Sequence, residues 1–119
     1  MQQFFRSFRH AFHGLRYAFR HEHNFQIEVI FAFLILILAL AFQISPMEQS
    51  FLVIAICIVL SLELLNTAIE RLVDMAKPRV HPYAKIVKDI MAGAVLVSSF
   101  FALLIGFIIF FPRMAAFLY

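Results

Sequence analysis

From residue 90 to residue 111 the chain runs for twenty-two positions without a charged side chain. About twenty residues of helix cross the hydrocarbon core of a bilayer, and within that core every backbone polar group must be satisfied inside the segment. Such a stretch is read as a membrane-spanning helix. Two further apolar stretches accompany it. One covers 27–44 and is interrupted by Glu28 near its start and Gln43 near its end; the other covers 51–75 and turns polar from Glu63 onward. The rest of the chain cannot surround these with a soluble shell. It is 64% hydrophobic and 14% charged, with mean hydropathy +0.93, whereas a soluble domain is nearer half apolar and a quarter charged. The expected fold is all-α, an integral membrane protein forming a single membrane domain over 1–119. It has an N-terminal amphipathic surface helix at 1–24 and transmembrane helices at 27–44, 51–75 and 88–111.

Charge placement gives the expected topology. Arg6, Arg9, Arg16 and Arg20 precede the first span, and Arg71, Lys77, Arg79, Lys85 and Lys88 cluster between the second and third. The loop around Pro46 has no basic residue, and only Arg113 lies beyond the third span. Positive charge marks the cytoplasmic side, so the N-terminus and second loop are expected inside and the C-terminus outside. In the first segment Phe4, Phe5, Phe8, Phe12, Leu15 and Phe19 share one side of a helical wheel, with Arg6, Arg9, His13, Arg16 and Arg20 on the other. That pattern fits a helix lying on the membrane surface; a soluble partner's groove is the competing use. Pro78 and Pro82 punctuate the second loop, and Pro112 marks the end of the third span. The aromatic and basic first residues give no sign of a cleavable leader. The single cysteine, Cys57, excludes an intrachain disulfide and a cysteine metal site. His10, His13, His21 and His23 do not gather on one face and read as interfacial polar residues. In the third span Ala94, Ser98, Ala102 and Gly106 recur every four residues, a row that lets helices approach closely in lipid.

The second span carries the chemistry. Glu63, Asn66, Glu70 and Asp74 fall at i, i+3, i+7 and i+11, within about 80° of one another on a helix, with Thr67 at the border of the same face. An ionised carboxylate facing lipid costs at least ~2.5 kcal/mol, so such a face must meet water, a cation or a cavity. Glu22 and Glu28 flank the first span and Asp89 opens the third, which leaves Glu48 as the one acid on the other side of the membrane. Oxygen ligands without a cysteine cluster suit Mg²⁺, which keeps waters and takes one or two carboxylates together with phosphate oxygens. Arg79, His81, Lys85 and Lys88 would attract an anion. The combination fits a metal–polyphosphate complex; polar contact between helices is the simpler use of the same face. Three glycines in all leave no room for a glycine-rich phosphate loop, and nothing points to nucleic acid.

The run Glu63-Leu-Leu-Asn-Thr-Ala-Ile-Glu70, followed by Val73-Asp74, His81-Pro82 and Ala84-Lys85-Ile-Val-Lys88-Asp89, resembles the prokaryotic diacylglycerol kinase family. The N-terminal amphipathic helix with Gly14-Leu15-Arg16, and Glu22 just ahead of the first span, extend the resemblance over nearly the whole chain. It implies a homotrimeric lipid kinase in the bacterial cell membrane, with sites shared between chains, ATP as phosphate donor and Mg²⁺ as cofactor. By motif position, Glu63 would be the catalytic base for the lipid hydroxyl. Glu22 and Glu70 would hold the metal on the nucleotide phosphates, and Asn66 and Asp74 would support the site. His81, Lys88 and Asp89 would contact the nucleotide beside Arg79 and Val80. His10 and Gln3 align with nucleotide-side positions, and Ala92 would line the lipid entrance next to Glu63.

The lipid is expected to be undecaprenol, because the loop His81-Pro-Tyr-Ala-Lys-Ile-Val-Lys-Asp89 looks more like the undecaprenol kinase branch; diacylglycerol is the alternative. Two readings of other classes compete. A non-enzymatic cation or proton pathway would use the acidic face, but 51–62 is apolar apart from Ser61, which argues against it. A membrane scaffold docking through the surface helix leaves Glu63 unexplained.

Overall fold

A computed structural model describes residues 1–76 and 81–118, with side chains through residue 116. Among these residues there are four helices and no strand: α1 (Gln2–His21), α2 (His23–Ala41), α3 (Pro46–Met75) and α4 (Ala84–Leu118). Three segments are long and apolar enough to cross a membrane: His23–Ala41, Pro46–Met75 and Ala84–Ala116. α3 is the central element, with α4 and α2 packed against it and α1 packed against α2. The whole measures 61 × 42 × 22 Å, and the short dimension is about two helix diameters. Lys77, Pro78, Arg79 and Val80, with the expectations placed on them, lie outside the described residues.

Each junction has a local cause. α1 stops at Glu22, which is extended at φ −110°, ψ 108°, and α2 starts at the next residue. The corner is stitched by the Glu22 amide donating to the Ala18 carbonyl at 2.9 Å and by the Gln26 side-chain amide donating to the Phe19 carbonyl at 2.8 Å. The helix therefore begins at His23, ahead of the apolar run at 27, because polar residues can occupy the first turn while the corner supplies partners for its neighbours. At the other end of α2, Gln43 adopts φ 49°. Its amide donates to Leu40 and that of Ile44 to Ala39, each at 3.2 Å. This is a Schellman closure with glutamine at the left-handed position usually given to glycine.

α3 begins at Pro46, earlier than the apolar stretch at 51, because Ser45 caps it. The Glu48 amide donates to Ser45 Oγ at 3.3 Å, and the Ser45 amide donates back to Glu48 Oε2 at 2.9 Å. The Ser-Pro-Met-Glu order is a capping box with proline at the first helical position. Glu48 also receives both Arg113 guanidinium nitrogens, at 2.7 and 3.0 Å, while Arg113 Nη1 donates to the Ile109 carbonyl at 2.7 Å. These contacts accompany a finding that differs from expectation: α4 passes through Pro112 instead of ending there. Proline removes one backbone donor, and the guanidinium beside it supplies another to this turn. Around this end lies the apolar cluster of Ala39, Ile44, Leu52 and Ile109, with Phe42 and Phe110 in edge contact at 6.0 Å.

The row Ala94, Ser98, Ala102 and Gly106 is half-buried along α4, whereas Leu96, Val97, Phe100 and Leu103 are exposed. A Cβ added at Gly106 would meet nothing within 4 Å, so within one chain the small row faces inward without forcing close approach there. The aromatic face of α1 is uncovered from Phe4 to Phe19.

Candidate functional site

α3 turns the deep part of its polar face inward, while Glu70 is half-buried and Asp74 exposed near the helix end, and Leu65 and Leu72 on the opposite side face outward. Glu63 is 3% exposed and Asn66 and Thr67 are 7% exposed, while Leu65 and Leu72 are 54% and 59% exposed. In water this would be inside out; in lipid it is the arrangement that burial costs require, since hydrocarbon tails solvate leucine and cannot solvate a carboxylate. The helical periodicity fixes which residues share the face, and packing against α2 and α4 covers its deep part.

Around Glu63 the structure gathers other acids. Glu63 acts electrostatically on Glu28, half-buried on α2, and is itself acted on by Glu70, about two helical turns along α3, and by Glu22 at the α1–α2 corner. Asn66 Nδ2 donates to Glu70 Oε1 at 3.4 Å. Two acceptor atoms in this region are buried with no partner: Glu28 Oε2 and Asn66 Oδ1. Unsatisfied buried acceptors cost on the order of 1–3 kcal/mol each, and both await a donor or a cation. Near the end of α3, Asp74 pairs with Lys88 of α4 at 3.7 Å.

The residues singled out from sequence fall into two groups. Glu63, Asn66 and Glu70 stand together on α3, with Glu22 nearby at the corner, and Asp74 joins Lys88 at the start of α4. His81 is exposed and stacks on Tyr83 at 5.2 Å, with the Tyr83 amide 3.3 Å from its Nδ1. Asp89 and Ala92 are exposed on the first turns of α4. His10 and Gln3 are exposed along α1, and nothing brings them to the α3 face. Arg79 and Val80 lie outside the described residues. Three participants carried no assigned role in the sequence reading. Thr67 is as buried as Asn66, Glu28 faces Glu63, and Arg71 ion-pairs with Glu22. The first was legible as a border residue of the polar face; the other two depend on contacts between helices.

Among the described residues no three His, Cys, Asp or Glu side chains converge closely enough to hold a metal unaided. The donor set nevertheless fits a hard cation that keeps its waters: Glu70 is tied to Asn66, whose carbonyl oxygen is unused, and every candidate ligand is oxygen.

The prokaryotic diacylglycerol kinase family matches this chain over residues 9–110. An undecaprenol kinase of Bacillus subtilis is 40% identical over 114 residues, covering 96% of this chain and 93% of that protein. A diacylglycerol kinase of Synechocystis sp. is 37% identical over 101 residues, covering 84% of this chain and 58% of that longer protein.

Proposed function

We propose that this chain, which belongs to the prokaryotic diacylglycerol kinase family, transfers the γ-phosphate of ATP to the hydroxyl of undecaprenol at the buried acidic face of α3. The observation that carries the reading is the inward-facing Glu63, set beside two unpartnered acceptors in a chain that matches the family over residues 9–110.

Glu63 takes the proton of the lipid hydroxyl as its oxygen bonds to the γ-phosphorus, and the bond from that phosphorus to the β–γ bridging oxygen breaks to release ADP. A carboxylate stripped of water is suited to this work because it has no competing solvent partner. Glu22 and Glu70 would hold Mg²⁺, which when bound supplies charge neutralisation on the phosphate oxygens. Asn66 orients Glu70, and Asp74 holds Lys88. Lys88, Asp89, His81, Arg79 and Val80 form the nucleotide side, with His10 as its outlying member, and Ala92 leaves room for the lipid beside Glu63. Phosphoryl transfer needs alignment and charge compensation more than covalent chemistry, and both are within reach of these groups. All lysines and arginines except Arg113 lie before the first span or from Arg71 to Lys88. In this reading those segments face the cytoplasm, where ATP is available, within a bacterial cell membrane.

Undecaprenol is favoured over diacylglycerol by the relative similar over 96% of the chain and by the 81–89 loop. Diacylglycerol remains the second reading, supported by the Synechocystis relative. Purified protein given ATP, Mg²⁺ and each lipid separately should phosphorylate undecaprenol faster. Transfer to diacylglycerol alone would establish the second reading, and transfer to neither would overturn the kinase assignment for these lipids.

A further inference from the structure

Arg71 follows Glu70 on α3 and reaches the corner between α1 and α2, where its Nη2 pairs with Glu22 Oε1. Its guanidinium carbon sits 6.0 Å from the centre of the Tyr17 ring, and Tyr17 in turn stacks on His21 at 4.4 Å. The two partners are unequally covered, the Arg71 side chain being 47% exposed and that of Glu22 17%. Among the described residues no lysine or arginine pairs with Glu63 or Glu70. A cation of the chain itself thus occupies Glu22, a carboxylate that the proposed function needs for another purpose. A guanidinium and a divalent ion compete for the same carboxylate lone pairs, and each repels the other.

We propose that Arg71 is a polyphosphate-binding residue held in reserve on Glu22. In the absence of nucleotide it neutralises that carboxylate; when the metal–nucleotide complex engages Glu22, the guanidinium passes to the phosphate oxygens. This inference rests on the kinase reading above. The chemistry of the exchange is favourable at both ends. A carboxylate and a phosphate offer a guanidinium the same paired-oxygen geometry, and its planar donors suit either. The side chain is exposed enough to swing, and the Tyr17 face holds a cation near the corner throughout by its ring quadrupole. Arg71 already reaches Glu22, one of the two proposed metal ligands, so the guanidinium starts beside the carboxylate at which the phosphates would arrive.

The test measures binding apart from turnover. Protein in lipid nanodiscs is titrated with Mn²⁺, read by electron paramagnetic resonance, with and without a non-hydrolysable ATP analogue. In Arg71→Gln, Mn²⁺ alone should bind as tightly as in the wild type or tighter, because Glu22 has lost its competitor. Analogue binding should weaken roughly 10- to 100-fold, the loss expected for charged hydrogen bonds to phosphate, and the KM for ATP should rise more than kcat falls. Arg71→Lys keeps the charge but not the paired donors and should show the same pattern at smaller size; it decides the matter if Arg71→Gln loses its helical circular dichroism. Parallel weakening of both binding events would make Arg71 merely structural and overturn the proposal, as would no change in either. If the wild type itself binds no ATP analogue, the kinase reading falls and this inference with it.

Discussion

Glu63 is the residue on which the site turns. Its burial in a span is expensive, and in the proposed mechanism that burial serves its work as a base. Glu63→Gln keeps size and hydrogen-bonding capacity but cannot accept a proton. We expect turnover to fall by at least about 100-fold while binding of a non-hydrolysable nucleotide changes only a few-fold; normal turnover would remove the base assignment. Glu63→Leu should go further in both directions. It should abolish activity and raise the unfolding midpoint in micelles, because exchanging a buried charge for an apolar side chain of similar volume is often stabilising. A drop in that midpoint would mean that the carboxylate has structural partners. In the proposed mechanism Asn66 acts through the metal ligand Glu70, to which it donates at 3.4 Å. Removing an outer partner of a metal ligand commonly costs 10- to 100-fold in metal affinity, so Asn66→Ala should raise the Mg²⁺ concentration for half-maximal activity by about that factor with little change in KM for the lipid.

At the scale of elements, the turn between α2 and α3 contains one strained and one well-made feature in succession. Gln43 holds φ 49°, where a Cβ costs about 1–2 kcal/mol. Gln43→Gly should therefore stabilise the protein by about 1 kcal/mol, measured by denaturation in mixed micelles. Ser45→Ala removes the cap of α3 and should destabilise by about 1 kcal/mol; an unchanged midpoint would show that Pro46 and the Arg113–Glu48 pair suffice to start the helix. These two substitutions lie well away from Glu63, so activity per folded molecule should stay level. α1 is the element least supported by its own chain. Its aromatic face from Phe4 to Phe19 is exposed, and we propose that it rests on lipid.

At the scale of the molecule, no large side chain among the described residues is fully buried. In lipid there is no hydrophobic drive between helices, so packing and polar contacts must hold them. The end near Ile44 is filled by the apolar cluster of Ala39, Ile44, Leu52 and Ile109, with the Glu48–Arg113 pair beside it. The acidic face is open toward Asp74 and buried, unpartnered acceptors stand at Asn66 and at Glu28 of α2, and we propose that neighbouring chains complete the site in a homotrimer. Cross-linking in native membranes should yield a ladder ending at three chains; monomers alone would contradict the assembly.

The sequence by itself determined the solvent of this protein and the membership of its polar face. Twenty-two uncharged residues can be satisfied only in a membrane helix, and helical spacing puts Glu63, Asn66, Glu70 and Asp74 on one side whatever packs against them. The capping box at Ser45 was also present in plain order, although the apolar stretch alone places the start of α3 too late. Tertiary structure decided the rest. Which acid faces Glu63, which lysine meets Asp74 and which arginine holds Glu22 depend on the angles and offsets between helices, and local periodicity carries no information about those. The same reason explains why Arg71 read as one more charge at the edge of a span until packing set it against Glu22, beside the acidic face.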